Sequence, residues 1–277
     1  MIGTFCDADD FDALRRLICR QVGIWLGDTK QTFLQVRLED RLRACNISSA
    51  REYYHFLRFD PRGEEEMQRL IDAITVNETW FFRETKPLEG WRDEALPALL
   101  RSGANNGYGR VRAWVAGCST GEEAYTLAML LLAGAGAERV DILATDINSR
   151  ALETARGAVY DPHSVRHTAP LWLSRYFEPL PDGRLAVREP VRTLVRFGRA
   201  NLIDPTLARR VAAADLILCR NVLMYFDAEH RRAALANLYA ALRSGGLLIL
   251  GHSEVLAQKM TPFELARVAG MIMYRKG

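Results

Sequence analysis

Apolar and polar positions divide the chain into two stretches of different period. Residues 9 to 80 repeat as helices do. In DTKQTFLQVRLEDRLRAC, Leu34, Leu38, Leu42 and Cys45 recur at i, i+4, i+8 and i+11, one stripe of a helix with a buried side. Asp28 is placed to cap its start. SAREYYHFLR (49–58) and RGEEEMQRLIDAITV (62–76) continue the pattern, and the second opens with acids in the first turn, where the helix dipole favours them. The first eighty residues therefore predict a small helical module.

After residue 110, short apolar runs alternate with helical segments. VRAWVAG (111–117), VDILATDI (140–147), TLVRFGRANL (193–202), ADLILCRNV (214–222) and GLLILGHSE (246–254) predict strands. EEAYTLAMLLLAGAG and ALETARGAV predict helices, and AEHRRAALANLYAALRSGG a helix that stops at its Gly pair. This alternation implies an α/β domain with a parallel, doubly wound sheet covered on both faces. MIMYRK (271–276) reads as a last strand pairing antiparallel at the sheet end. Residues 161–192 break the alternation with prolines and a Pro-Asp-Gly turn between short β-like runs, and are too long for a plain connection. They predict an inserted β-subdomain.

Composition changes this picture little. The 277 residues exceed the ~150 typical of one domain, which suits a full domain plus smaller pieces. A net charge of +3, from 37 basic and 34 acidic side chains, argues against a chain that coats nucleic acid. The basic residues are 33 Arg and 4 Lys, a bias that suits planar contacts to carboxylates and is equally a product of base composition. Charge is unevenly spread: residues 1–80 hold 11 basic and 14 acidic side chains, net −3, and the remainder is net +6. The five cysteines show neither C-x-x-C nor a His at ligand spacing, so no metal site is expected and a reducing cytoplasm is. The N-terminal residues resemble no secretory leader, and no apolar run is long enough to cross a membrane.

In an open parallel sheet, ligands bind beyond the carboxyl ends of the strands. The candidates there are Gly117-Cys-Ser-Thr-Gly121-Glu-Glu, Asp146, Asn201, Arg220-Asn221 and His252-Ser253-Glu254. The G-x-x-x-G loop allows close backbone approach but is not a dinucleotide fingerprint, and its two carboxylates would repel phosphate. A nucleoside carrying positive charge and no phosphate fits better, and S-adenosylmethionine is such a molecule. Asp146 is then placed for the ribose hydroxyls, or else it caps the following helix. Lys30, Arg37 and Arg41 lie within roughly 40° of one another beside the Leu stripe, taking 100° per residue. They are either solvated flank residues paired with Glu39 or Asp40, or a docking edge for an acidic partner.

The strings Asn77-Glu-Thr-Trp-Phe-Phe-Arg83, Gly117-Cys-Ser-Thr-Gly-Glu-Glu123, Ala144-Thr-Asp-Ile147, Arg220-Asn-Val-Leu-Met-Tyr-Phe226 and Gly251-His-Ser-Glu254 resemble the chemotaxis receptor methyltransferases, the CheR family. The resemblance implies a Rossmann-like class I methyltransferase sheet with an inserted small β-subdomain, preceded by an all-α N-terminal domain. The boundaries are then a helical receptor-docking domain at 1–80, a linker helix region at 81–110 and a methyltransferase domain at 111–277 with its insert at 161–192. It implies methyl transfer from S-adenosyl-L-methionine to receptor glutamates, leaving S-adenosyl-L-homocysteine. Carried over by motif, the cofactor contacts are Asn77, Thr79, Arg83, Glu123, Asp146, Asn201, Leu202, Arg220 and Asn221, with Gly117 in the close-approach loop. Glu122 competes with Glu123 for its role, and Ala124 stands where the family usually has Pro, a difference of helix stiffness.

A glutamate acceptor with an ordinary pKa of ~4.3 is already the anionic nucleophile at pH 7, so methyl transfer to it needs no general base. Alignment and desolvation remain as the enzyme's tasks. Arg83 and Tyr225 are the candidates for the transfer pocket, against a surface ion pair of Arg83 with Glu84 and a core aromatic at 225. The expected partner is the cytoplasmic helical bundle of a methyl-accepting receptor, met by Lys30, Arg37 and Arg41, with no nucleic acid, no membrane insertion and a monomeric state. The histidines read as structural. Two competing readings are a methyltransferase for nucleic acid or a small molecule and a non-catalytic S-adenosylmethionine sensor. Against the first, the fourth strand end reads Arg220-Asn-Val-Leu and lacks the Asn/Asp-Pro-Pro-aromatic signature. Against the second, the rim is intact.

Overall fold

The apolar stripes of four helices meet in the first module: α1 (Ala8–Val22), α2 (Gln31–Cys45), α3 (Ala50–Phe59) and α4 (Gly63–Ile74). This is seen in a computed structural model that describes residues 8–27, 30–101, 110–134, 137–211, 213–256 and 261–277. Leu14, Ile18, Leu34, Tyr53, Leu70 and Ile74 are at most 1% exposed, and each such aliphatic side chain contributes roughly 1.5–3 kcal/mol by leaving water. Ser49 caps α3 by accepting the Glu52 N–H at 3.2 Å, and Glu52 reaches back to the Ser48 N–H. The Asp28 cap lies outside the described residues. Helix α2 starts after Lys30, whose side chain makes no cap bond, and of its stripe Leu34, Leu38 and Leu42 are buried while Cys45 is half-buried.

A connector of α5 (Lys86–Gly90), a π-helical turn (Trp91–Ala95) and α6 (Leu96–Arg101) leads to the sheet. Strands β1 (Val111–Ala116) and β2 (Val140–Asp146) flank α7 (Glu122–Ala133), and α8 (Ser149–Gly157) follows. The insert is β3 (Val159–Tyr160), α9 (Pro170–Tyr176), β4 (Phe177–Pro179), β5 (Leu185–Val187) and α10 (Glu189–Arg192). The chain closes with β6 (Val195–Arg199), α11 (Leu207–Val211), β7 (Ala214–Cys219), α12 (Ala228–Ala241), β8 (Leu242–Leu250), β9 (Phe263–Val268) and β10 (Met271–Lys276).

Among the described residues seven strands form one sheet in the order β6-β2-β1-β7-β8-β10-β9. The first five are parallel, and β10 runs antiparallel to both β8 and β9. The order reverses on either side of β1, so the crevice at the β1/β7 carboxyl ends is where this topology places a ligand. Leu88, Trp91 and α7 cover one face, and α11 and α12 the other. The insert is a three-stranded antiparallel sheet with β5 central. Its helix α9 was not legible in the proline-rich sequence.

Two expectations are corrected. The Gly pair does not end α12, which stops at Ala241 because Leu242 turns extended to pair with Ala214. Gly245 and Gly246 sit in a bulge of β8, where Gly245 has φ +75° and a side chain at Gly246 would meet Arg243 O at 2.9 Å. And β10 is not at the sheet end, since β9, not anticipated from the sequence, pairs outside it.

The helical module seats on the carboxyl ends of the strands. Asn148, after β2, donates from Nδ2 to Asp72 O at 3.1 Å and Thr75 Oγ1 at 2.6 Å, while the Ser149 N–H donates to Asp72 Oδ1 at 2.8 Å. Asn201, after β6, donates to Gln21 O at 2.9 Å. After β7, Tyr225 O accepts the Trp25 N–H at 2.8 Å, and Ile24 bridges to Phe226. Beside them the Cys19 thiol donates to Asp227 Oδ2 at 3.1 Å, and Asp227 Oδ1 caps α12 through the His230 N–H at 2.8 Å. Burial and the Asp227 bond push this thiol up to about 12, which keeps it a protonated donor.

Candidate active site

One cleft lies under the helical module at the carboxyl ends of β1, β2, β6 and β7. Its empty volume is about 1190 Å³ including the open mouth. Asn77, Thr79, Arg83, Gly117, Glu123, Asp146, Asn201, Leu202, Arg220, Asn221 and Tyr225 all line it, as do Lys30 and the apolar Val22, Ile24 and Leu26 from the module. Residues from six separate segments of the sequence are thus brought to one place.

The loop after β1 is shaped by its backbone. Gly117 has φ +82°, and an added Cβ would stand 2.5 Å from Val222 Cγ2, so only glycine lets this loop lie against the loop after β7. Ser119 also takes a positive φ, +50°, which turns its N–H onto Asp146 Oδ2 at 2.7 Å. Asp146 Oδ1 accepts the Asn148 N–H at 2.9 Å. Burial pushes the Asp146 carboxyl above its usual range, against the opposing pull of these N–H groups. Of the two glutamates, Glu122 turns inward, 2% exposed, and accepts Thr120 Oγ1 at 2.6 Å and Ser164 Oγ at 3.1 Å. Burial raises its carboxyl too. Glu123 faces the cleft, so the geometry favours it over Glu122.

Arg220 is the buried cation of the site. Its guanidinium pairs with Glu123 and with Glu84 Oε2 at 2.9 Å, and donates to Arg83 O at 3.1 Å. Glu84 therefore belongs to Arg220 and not to Arg83. Although burial would raise it, the bond to Arg220 and the charges of Arg220 and Arg83 hold the Glu84 carboxyl below its usual range. Next to it, Glu254 is 4% exposed and accepts backbone N–H groups from Asn221 (2.7 Å), Val222 (3.0 Å), Met224 (3.2 Å) and Gly251 (3.0 Å). Asn221, at φ +60°, is held left-handed by this grip. The sequence placed Glu254 on the rim without this role, because the four amides it gathers come from both strand ends.

The segment 77–83 ties the pieces together. Asn77 Oδ1 accepts Ser119 Oγ at 3.3 Å, the Phe81 N–H donates to Ser164 O of the insert at 2.9 Å, and the Phe82 N–H donates to Thr126 Oγ1 at 3.1 Å. Phe81 is fully buried and meets Tyr160 and Phe177 edge-on, both at 4.9 Å. Arg83 donates to Glu78 O at 3.0 Å and lies 4.4 Å over the Trp80 ring, while its buried Nε has no partner in the structure. Tyr225 stands on a short 3₁₀ turn, and burial raises its phenol, which stays protonated at neutral pH.

The three cations of α2 and its start do not form one edge. Lys30 turns to the cleft, 4.4 Å over the Tyr225 ring, and Arg37 lies 5.4 Å over Phe33. Arg41 points into the module, where Nε and Nη2 donate to Glu66 at 2.8 and 2.7 Å. Angular spacing along one helix shows which side a residue occupies but not what α4 brings to meet it.

Comparison with known proteins agrees with this architecture. Residues 9–75 match the CheR methyltransferase all-alpha domain, and residues 77–271 the CheR methyltransferase SAM binding domain. Chemotaxis protein methyltransferase 2 of Vibrio cholerae is 35% identical over 270 residues, covering 96% of this chain and 92% of the relative. Chemotaxis protein methyltransferase 1 of Pseudomonas aeruginosa is 34% identical, covering 96% and 97%. Chemotaxis protein methyltransferase of Borreliella burgdorferi is 34% identical, covering 90% and 88%. With both domains matched in order along nearly its whole length, the chain belongs to the CheR methyltransferase family.

Proposed function

We propose that this protein transfers the methyl group of S-adenosyl-L-methionine to glutamate side chains on the cytoplasmic helical bundle of chemotaxis receptors, leaving methyl esters and S-adenosyl-L-homocysteine. The observation that carries this reading is the convergence of Asp146, Glu123, Asn201, Arg83 and Tyr225 on one cleft at the topological switch point. Among the described residues no helix is long and apolar enough to cross a membrane. In this reading the protein works in the cytoplasm as a monomer.

The residues present suit the donor. Asp146 has both oxygens oriented by backbone N–H groups, with lone pairs left for the two hydroxyls of a ribose. Gly117 keeps the loop flat enough for close approach, and the unpartnered Nε of Arg83 calls for an acceptor such as a carboxylate. When bound, S-adenosylmethionine supplies a methyl group activated by its sulfonium. The chain's own task is positional. Asn77, Thr79, Asn201, Leu202 and Asn221 line the cleft for the donor, and Arg220 keeps Glu123 in place beside them. Arg83 fixes a carboxylate, the donor's or the acceptor's, and the neutral Tyr225 phenol directs an acceptor oxygen by donating to it. No base is required, because the acceptor arrives ionised.

The test is to incubate the protein with methyl-labelled donor and receptor-containing membranes, and then treat with mild base. Label released as methanol from receptor protein is the expected result. Label in nucleic acid, or tight donor binding with no transfer, overturns the reading. Within it, an Arg83→Ala protein with full turnover and normal donor binding would remove Arg83 from the pocket.

A further inference from the structure

Three cations and two aromatic rings alternate from the cleft lining, which holds Lys30, Tyr225, Arg83 and Trp80, to Arg166 beyond Trp80. Lys30 Nζ is 4.4 Å from the Tyr225 ring centroid. The charge of Arg83 acts on the Tyr225 phenol, and its guanidinium lies 4.4 Å from the Trp80 centroid. Arg166, from the insert, has its guanidinium 4.4 Å from the same Trp80 centroid. The row therefore runs Lys30, Tyr225, Arg83, Trp80, Arg166. Its members come from the helical module, the loop after β7, the 77–83 segment and the insert, so the fold has to assemble it.

None of these three cations has a carboxylate within ion-pair distance among the described residues, whereas Arg41, Arg69, Arg220 and Arg243 each have one. Among the described residues Arg83 bonds to the carbonyl of Glu78, and Arg166 to the carbonyl and ring of His163. A ring face holds a cation in place by roughly 0.5–2 kcal/mol without neutralising it. The three charges are thus ordered but unsatisfied, and the exposed Glu78 carboxylate beside them leaves the mouth with an excess of positive charge. The two guanidiniums on Trp80 are at most about 9 Å apart, a span that takes in the ~5.4 Å of one helical turn and falls short of two.

We propose that this row reads acidic side chains flanking the acceptor glutamate. It rests on the methyl-acceptor reading above, and assigns Arg83 to the acceptor position, with Lys30 and Arg166 meeting carboxylates on neighbouring turns to either side. The substrate is then a helix carrying several carboxylates on one face. Because an esterified glutamate is neutral, each modified neighbour removes one attraction, and later acceptors on the same helix become poorer substrates.

The experiment uses the full chain and a receptor cytoplasmic fragment with glutamates flanking one acceptor, compared with the same fragment carrying glutamines at the flanks. For the wild-type enzyme the glutamine flanks should raise KM about 3- to 10-fold at low salt and less at high salt. In Lys30→Ala and Arg166→Ala enzymes KM for the glutamate fragment should already be raised, and the flank effect should shrink to near onefold. Arg166→Lys should restore part of it, and donor Kd should match the wild type in both Arg166 variants. The proposal is overturned if the wild type does not distinguish the flanks, or if both Ala variants distinguish them as well as the wild type does. If the wild type esterifies neither fragment, the methyl-acceptor reading itself fails, and that outcome is separately visible.

Discussion

Glu66 in the helical module and Asp146 in the cleft are both carboxylates drawn out of water, and they are held in opposite ways. Glu66, 2% exposed, accepts two bonds from Arg41 and one from Tyr53 Oη at 2.7 Å. Burial alone would raise it, but these bonds and the Arg41 charge win, and its carboxyl is held below the usual range. Asp146 has backbone N–H partners and no cation, so burial wins and its carboxyl is raised. In this pair the acid with a cation is spent on joining α2, α3 and α4, whereas the acid held by backbone N–H groups keeps lone pairs that a ligand's hydroxyls can meet.

The largest effect expected is on the site. Asp146→Ala should weaken S-adenosylmethionine binding by at least about 100-fold, at roughly 1.5–3 kcal/mol for each hydrogen bond to a charged group, while the melting temperature of the free protein changes little. Calorimetric titration and thermal unfolding together check both halves, and a variant that loses stability but keeps affinity would break the comparison. Arg41→Ala should do the reverse, removing about 3–5 kcal/mol of stability by leaving Glu66 buried and uncompensated. Its donor affinity, measured below the unfolding transition, should stay within about twofold of the wild type.

A smaller effect is predicted for Gly117→Ala. The left-handed backbone and the clash with Val222 should cost about 1–3 kcal/mol in unfolding by urea and weaken donor binding as the two loops separate. The smallest effect is the sign of a pH dependence. A lowered acid such as Glu66 gives stability that is present above its unfolded pKa, ~4.3, and is lost as pH falls through its folded value. The deficit of Glu66→Gln relative to wild type should therefore shrink in acid. A raised acid such as Asp146 contributes the opposite slope, so donor-free Asp146→Ala should show its most favourable difference from wild type at neutral pH and lose it as pH falls. Equal slopes for the two variants in urea titrations from about pH 3 to 7 would contradict the assignment.

The parallel strands and their carboxyl-end residues were readable because unbroken apolar runs ending in Gly, Asp or Asn leave few other folds. Strand β9 was not, since FELARV buries only Phe263, Ala266 and Val268 and has no regular alternation. Arg41 misled for a different reason. Its side chain lies beside an apolar stripe, and whether such a cation is free depends on Glu66, which the sequence shows only as one of three acids in a first turn. Glu254 and Arg220 were visible as polar residues at strand ends. That one gathers four amides, three of them 30 to 33 residues away, and the other two carboxylates 97 and 136 residues away is something no local pattern records.

The seat of the helical module on the strand ends limits how relatives of this enzyme can be recombined. Residues 22–30 supply Val22, Ile24, Leu26 and Lys30 to the cleft wall and pair with residues 225 and 226 of the other part. A chimera joined near residue 76 would divide one binding wall between two parents. Exchange of modules between homologues therefore has to carry Val22, Ile24, Leu26 and Lys30 together with residues 225 and 226, which receive them.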